Sequence, residues 1–320
     1  MSKRSLLSLG LPKDSLSLLT RHGYENVPDL LTATPESLAR DLGISLEQAD
    51  GLLERVRKPQ TPLTTLPTTQ SVATMVHQAS RIPTGSSSLN KMLQGGLLRG
   101  HVLELSGPPG SPKERLSMSI ASAFVNVGEE ILFVDCQNMT SSSVLINTLR
   151  KSLKGRSDIQ RYVHYFCMHT LPELLFFVYQ LPKLLALHSK ISLLVINSVS
   201  FPFQNPGVGI SQKNGQLDKL KQGLSKASAS SNLTIVTTSQ LATKALNADG
   251  SSGTFDSGAR GVMLPQLGPG YLPNGRSYRI LVAPDSPTSG VLKLLSSPKH
   301  SLGSVPTIVE PYSTTEIGVI

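Results

Sequence analysis

Apolar and polar residues follow two different periods along this chain, and these periods predict its elements. After about residue 81, short apolar runs with strand character alternate with stretches in which apolar residues recur at helical spacing. The strand-like runs are 101–106, 131–134, 162–166, 191–196 and 233–236, and the helical stretches are 114–125, 142–153, 172–187 and 214–229. This alternation predicts an α/β core with a largely parallel sheet, and the runs 279–282 and 291–295 predict a closing hairpin.

The region before this core has a different pattern. Between about residues 14 and 57 the apolar spacing is helical throughout, and Ser45 followed by Gln48 predicts a capped helix start. Residues 59–80 are rich in Pro and Thr and show neither period, as is typical of a linker. We therefore predict a helical domain (1–58), a linker (59–80), a core domain (81–300) and a tail (301–320). The tail is either a docked edge strand or disordered.

Composition and charge narrow the class of protein. The hydrophobic content of 39% supports a real core, and no apolar run approaches the roughly 18 residues that span a bilayer, so we expect a soluble chain without a membrane partner. The net charge is +9, and residues 1–60 hold eight basic and eight acidic residues, so the excess lies beyond them. Such an excess suits a polyanionic partner. Cys136 and Cys167 lie in apolar runs without metal-ligand spacing, which predicts buried reduced thiols and no metal site.

Residues 107–114 (GPPGSPKE) lie between a strand and a helix, where a phosphate-binding P-loop is expected. That loop requires Gly, four free residues, Gly, Lys and a hydroxyl residue, because backbone N–H groups and lysine bind phosphates while the hydroxyl holds Mg²⁺. Gly107 and Lys113 fit this pattern. Pro112 has no N–H to donate, and Glu114 puts a carboxylate in place of the hydroxyl. The context favours P-loop descent, and a generic Gly/Pro turn is the alternative.

Several segments carry a family resemblance. Residues 81–96 (RIPTGSSSLNKMLQGG), followed by the strand and loop, resemble the entry segment of the RecA/RadA recombinase superfamily in its eukaryotic branch. Residues 23–45 are similar to the helix-hairpin-helix domain of that branch, and residues 233–244 resemble the strand that ends in its nucleotide-sensing glutamine, here Gln240. The resemblance extends to the recombination-mediator paralogues, in particular the C-type paralogue. It implies a RecA-like P-loop core preceded by a small all-α helix-hairpin-helix domain.

The resemblance also implies ATP and Mg²⁺ as cofactors, but the family's catalytic groups are replaced here. Gln137 stands at the position of the catalytic glutamate, and an amide cannot serve as a general base. Asn197 ends the Walker B strand where the family has Asp, and a neutral amide is a poorer Mg²⁺ ligand. We therefore expect weak or lost nucleotide binding and assign no catalytic residue. The nucleotide-binding candidates are Gly107, Gly110, Ser111, Lys113, Glu114 and Gln240.

Two segments, 201–214 and 244–266, resemble the loops that face DNA in the recombinase. Small amide-rich loops with a few cations suit the backbone of a single strand, although Phe255 is the second segment's single aromatic residue and predicts weak base stacking. Mobile surface loops without DNA contact are the alternative. The DNA-binding candidates are Lys213, Lys244, Asn247 and Arg260.

The resemblance implies a nuclear mediator of homologous-recombination DNA repair. Such a protein associates with other recombinase paralogues and with the recombinase, and supports filament assembly on single-stranded or branched DNA. One alternative is an active DNA-dependent ATPase that performs strand exchange, and another is a RecA-like scaffold that only bridges proteins. In this family the linker docks a strand on the next subunit's sheet, and residues 66–69 and 72–76 are the candidates here.

Overall fold

The computed structural model describes Leu6 and residues 11–57, 81–153, 156, 158–204, 209–249, 251, 253–300, 308–315 and 319. The linker segments 66–69 and 72–76 lie outside these residues. The helices are α1 (Lys13–Arg21), α2 (Val27–Leu31), α3 (Pro35–Leu42), α4 (Leu46–Arg57), α5 (Ser87–Met92), α6 (Lys113–Asn126), α7 (Ser142–Ser152), α8 (Leu171–Leu187) and α9 (Ile210–Ser230). The strands are β1 (Arg81–Ile82), β2 (Leu97–Leu98), β3 (Val102–Gly107), β4 (Glu130–Asp135), β5 (Val163–Cys167), β6 (Ile191–Asn197), β7 (Thr234–Leu246), β8 (Arg260–Pro265), β9 (Ser277–Pro284), β10 (Ser289–Ser296) and β11 (Val309–Ser313).

One large sheet organises the core, in the order β11-β10-β9-β3-β7-β6-β4-β5. The strands from β9 to β5 run parallel to one another, whereas β10 and β11 are antiparallel additions at one edge. The α/β class with a largely parallel sheet is therefore confirmed. The hairpin predicted from residues 279–282 and 291–295 is also present, as β9 and β10.

Helices cover both faces of the sheet, which explains why its central strands read as continuous apolar runs. Ile131 and Phe133 of β4 point to the face covered by α6 and α7. Leu132 and Val134 point to the opposite face, covered by α8 and α9. Because successive side chains of a strand alternate between faces, both sets are buried and the strand has no polar side.

The N-terminal region is helical, as expected, and has its own apolar core. Gly43 ends α3 in the left-handed conformation (φ 65°), and the Ser45–Gln48 cap at the start of α4 is confirmed by two reciprocal hydrogen bonds of 3.1 and 3.2 Å. This region packs on α9, where Lys226 pairs with Asp41 and lies 4.8 Å from the centre of the Tyr24 ring. A polar contact thus joins the two regions.

Three predictions need correction. Residues 244–266 are not mainly a loop, because β7 continues to Leu246 and pairs with β8 in an antiparallel hairpin. In the first DNA segment, α9 already begins at Ile210, so Lys213 lies on a helix. The prediction of a buried thiol is right for Cys136 and wrong for Cys167, which is exposed because it ends the edge strand β5.

The tail contributes an edge strand, since β11 pairs with β10 from Ser313 to Val309. Contacts with α5 hold it in place: Lys91 pairs with Glu310 at 2.8 Å, and the Ser88 hydroxyl donates to the carbonyl of Pro311. Of the two alternatives for the tail, residues 309–313 adopt the docked one. No helix among the described residues is long and apolar enough to cross a membrane.

Candidate functional site

The nucleotide-site candidates gather at the carboxyl ends of β3, β6 and β4, beside Gln240 in the middle of β7. Gly107, the last residue of β3, is the register partner of Gln240 in β7, and Asp135 of β4 is the register partner of Asn197 in β6. Because β3, β7, β6 and β4 are adjacent and parallel, their carboxyl ends lie at one edge of the sheet. In open α/β sheets this edge is where ligands bind.

The loop after β3 forms a tight turn that is closed by its own groups. The Ser111 N–H donates to the Pro108 carbonyl at 3.2 Å, and Gly110 adopts φ 82°, which favours glycine. Gly107 is also required, since a Cβ there would overlap the Ser111 hydroxyl and the Val282 carbonyl. With three prolines in 107–114, the loop offers few N–H groups to a phosphate.

Lys113 is the first residue of α6, and its side chain is only 1% exposed. Its Nζ donates to the Pro108 carbonyl at 3.1 Å and lies 3.5 Å from the Ser111 hydroxyl. The Glu114 carboxylate lies 3.3 Å from the same Nζ. The charge that a P-loop offers to phosphate is therefore already neutralised by the neighbouring carboxylate.

The ends of β4 and β6 are tied to each other rather than left open. Buried Asn197 accepts a 2.7 Å hydrogen bond from the Thr238 hydroxyl and donates to the Thr140 hydroxyl at 3.4 Å. Asp135, which sequence reasoning did not single out, accepts from the N–H groups of Gln137 (3.1 Å) and Thr140 (2.6 Å). Its position at the end of an apolar run was the available signal. Both side chains organise the turn after β4.

Gln240 has a different environment. Its N–H donates to the Ser200 hydroxyl at 3.1 Å, whereas its buried Oε1 has no hydrogen-bond partner among the described residues. A buried acceptor without a partner costs about 1–3 kcal/mol, so this atom is one that a donor group would satisfy; the buried Ser198 hydroxyl, just after β6, also has no partner among the described residues. Lys113 is already paired with a carboxylate, and Asn197 is already hydrogen-bonded to two hydroxyls. Together with Gln240 they are a poor set of ligands for a Mg²⁺–triphosphate, which needs cationic and carboxylate groups.

The hairpin of β7 and β8 extends beyond this edge and carries three of the four DNA candidates. Lys244 is half-buried, and burial lowers its pKa, as do the nearby charges of Arg279 and Lys213. The charge of Lys213 thus acts on Lys244. Arg260 is exposed at the far end of the hairpin, where it is the register partner of Leu246. The Asn247 amide instead donates to the Ser251 hydroxyl at 3.0 Å and shapes the turn.

The parallel sheet, the loop after β3 and the strand-end residues define a RecA-like α/β domain with a helical region attached. No family model matches the chain. The chain is 27% identical over 281 residues to DNA repair protein RAD51 homolog 3 of Cricetulus griseus, a match that covers 76% of each chain. It is 28% identical over 148 residues to DNA repair protein RAD51 homolog 4 of Bos taurus, covering 46% of this chain and 45% of that protein.

An archaeal relative extends the comparison. DNA repair and recombination protein RadB of Methanosphaera stadtmanae (strain ATCC 43021 / DSM 3091 / JCM 11832 / MCB-3) is 24% identical over 168 residues, covering 52% of this chain and 70% of that protein. The resemblance read from the sequence is thus confirmed: the homologues of this chain are RAD51 paralogues and RadB.

Proposed function

We propose that this chain is a nuclear mediator of homologous-recombination repair. In this proposal it associates with other recombinase paralogues and supports assembly of the recombinase filament on single-stranded DNA, with nucleotide binding weak or lost. Its relationship to DNA repair proteins supports the repair role. The remaining parts of the proposal rest on three features of the structure: the phosphate loop, an open sheet edge and the β7–β8 hairpin.

The observation that carries the proposal is the pairing of Lys113 with Glu114. A buried lysine that already has a carboxylate at 3.3 Å and a carbonyl at 3.1 Å gains little from binding phosphate, because it must first give up these partners. The carboxylate would also repel the phosphate directly. The loop therefore supports a role in which the fold persists without ATP turnover.

An open edge of the sheet supports association with a related subunit. β5 pairs with β4 on one side, and no described strand pairs with its other side. Beside it, β5 and α8 line a groove of about 360 Å³ with mainly apolar walls. Phe176 is 64% exposed on this surface, and Tyr179 is 73% exposed. An edge strand beside an apolar groove fits a partner that adds a strand and inserts an apolar anchor.

Co-purification tests this association. We expect the tagged full-length chain to recover recombinase paralogues from cells, and Phe176→Asp to lose most of that recovery because a charge would enter the groove. Val127→Asp is the matched control, since Val127 is 59% exposed at the end of α6, on the other face of the sheet. Recovery that is equal for both variants, or no paralogue recovered with the unchanged chain, would refute the proposed surface.

The DNA contact is proposed for the hairpin that carries Lys244 and Arg260. Neutralising both cations should reduce the slope of log affinity against log salt for a single-stranded oligonucleotide by about 1.4, at about 0.7 for each phosphate contact. Lys190→Ala is the control, because Lys190 is exposed at the opposite end of the sheet, just before β6. An unchanged slope in the double variant would favour the scaffold that only bridges proteins.

A further inference from the structure

Glu130, His164 and His188 meet at one corner of the sheet, although they are far apart in the sequence. The Nε2 atom of His164 lies 2.8 Å from the Glu130 carboxylate, and the rings of His164 and His188 have their centres 4.8 Å apart. One side-chain donor atom of each residue lies within 4.8 Å of those of the other two. Glu130 and His164 are partly buried, with side chains 18% and 27% exposed.

Three separate elements hold these side chains in place. Glu130 is the first residue of β4, and His164 is the second residue of the neighbouring parallel strand β5. His188 follows the last residue of α8; its N–H donates to the Leu184 carbonyl at 3.0 Å, and its carbonyl accepts from the Ile191 N–H at 3.1 Å. Regular hydrogen bonds thus fix the backbone of each of the three residues. The distances between the ligand atoms of the three side chains can therefore change only by small side-chain rotations.

We propose that Glu130, His164 and His188 form a binding site for a divalent transition metal, with Zn²⁺ as the expected ion. Two imidazole nitrogens and one carboxylate oxygen are a set that Zn²⁺ prefers, and three protein ligands leave a fourth position for water or a partner's side chain. In tetrahedral Zn²⁺ sites with bonds of about 2.0–2.1 Å, ligand atoms are separated by roughly 3.3 Å. His164 and Glu130 already lie closer than this, so His188 makes the main adjustment.

The site is separate from the candidate nucleotide site. Glu130 lies at the amino end of β4, whereas the loop with Lys113 follows the carboxyl end of β3, which is parallel to β4 in the same sheet. A metal here would not contact a phosphate bound at the loop. Instead it would join the edge strand β5 to β4 and to the connection between α8 and β6. The function it supplies is stabilisation of the open sheet edge.

One other pair of metal ligands on this edge has to be distinguished. The Sγ of Cys167 lies 3.3 Å from the Nε2 of His169, at the other end of β5. Among the described residues, no third His, Cys, Asp or Glu side chain joins this pair in a cluster of ligands. The two side chains could nevertheless bind Zn²⁺ without a third ligand. His169→Ala is therefore the matched control for His188→Ala, since each removes one imidazole next to an end of α8.

The test uses the full-length chain, stripped with chelator and titrated with Zn²⁺ in a calorimeter. We expect one Zn²⁺ per chain, and a loss of affinity of at least about 100-fold in His188→Ala and in His164→Ala, since removing a ligand exceeds the 10–100-fold effect of outer-shell changes. His169→Ala should bind as the unchanged chain does. Zn²⁺ should raise the melting temperature of the unchanged chain and of His169→Ala, but not that of His188→Ala.

Co²⁺ provides an independent readout. The proposed ligands should give visible absorption of a four-coordinate or five-coordinate site without a thiolate charge-transfer band. A thiolate band that disappears in Cys167→Ser would place the metal at Cys167 and overturn the proposal. Absence of stoichiometric Zn²⁺ binding, or equal binding by His188→Ala and the unchanged chain, would overturn it as well.

Discussion

Restoring the phosphate loop is the most direct test of the proposed loss of nucleotide binding. The double substitution Pro112→Gly and Glu114→Thr returns both departures to the P-loop pattern of Gly, Lys and a hydroxyl residue at 112–114. Glu114→Thr removes the carboxylate that neutralises Lys113, and Pro112→Gly adds one backbone N–H. We expect the double variant to bind Mg-ATP more tightly than the unchanged chain.

The expected gain follows from the geometry of the pair. A phosphate oxygen that binds Lys113 would lie beside Glu114, and two like charges about 4 Å apart repel by about 4 kcal/mol at an effective dielectric constant of about 20. The Glu114 side chain is 24% exposed, so solvent screening reduces this to about 2 kcal/mol, or roughly 30-fold in affinity. One added N–H to a charged acceptor contributes a further ~1.5 kcal/mol, or about tenfold.

Calorimetric titration of Mg-ATP against the two single variants, the double variant and the unchanged chain measures these gains. Glu47→Thr is the control, because Glu47 is exposed on α4 and remote from the loop. Urea unfolding verifies that every variant is folded. If the folded double variant binds Mg-ATP no more tightly than the unchanged chain, then the neutralised lysine is not the cause of weak binding and the reasoning is wrong.

Two further predictions concern stability. Glu104 is fully buried and accepts hydrogen bonds from Arg279 (2.5 Å), Tyr271 and Ser239. Because Arg279→Met leaves the Glu104 carboxylate without its cation, it should lower the free energy of unfolding, measured in urea, by about 3–5 kcal/mol. A loss below ~1 kcal/mol would contradict this expectation. Burial raises the pKa of Asp41, but hydrogen bonds from Lys226 and Tyr24 outweigh it and hold that pKa below the ordinary value of an aspartate carboxyl. The contact of Asp41 with Lys226 and Tyr24 therefore stabilises the fold above about pH 4 and is lost as the pH falls through the lowered pKa. Asp41→Asn should reduce the free energy of unfolding by about 1 kcal/mol at pH 7, and melting at different pH values should show that this difference shrinks below pH 4.

The sequence predicted the elements whose apolar pattern is complete. The runs around 131–134 and 191–196 became buried central strands because helices cover both of their faces. The continuation of β7 from Gln240 to Leu246 was missed, since its exposure is intermediate and its polar residues resemble those of a loop. Pairing with β8 satisfies its backbone, and no local pattern encodes that pairing.

The candidate site was predicted in part for a similar reason. Positions such as Lys113 and Asn197 could be located because one lies just after a predicted strand and the other at the end of one, but their hydrogen-bond and ion-pair partners could not be located. That Glu114 pairs with Lys113, and that Thr238 satisfies Asn197, depends on side-chain directions that tertiary packing determines. Contacts between residues distant in sequence, such as Glu130 with His164, have no signal in a single chain.

The strand β11 has a consequence for how this sheet can grow. Pro311 lies in the middle of β11 and has no N–H to offer, and Lys91 holds the neighbouring Glu310, so this edge is closed to a further strand. The opposite edge, β5, contains no proline and has no described strand beyond it. Addition of strands to this sheet is therefore one-sided. If subunits were joined through their sheets, a further subunit could be added at the β5 edge but not at the β11 edge. A row of such subunits would therefore have two different ends.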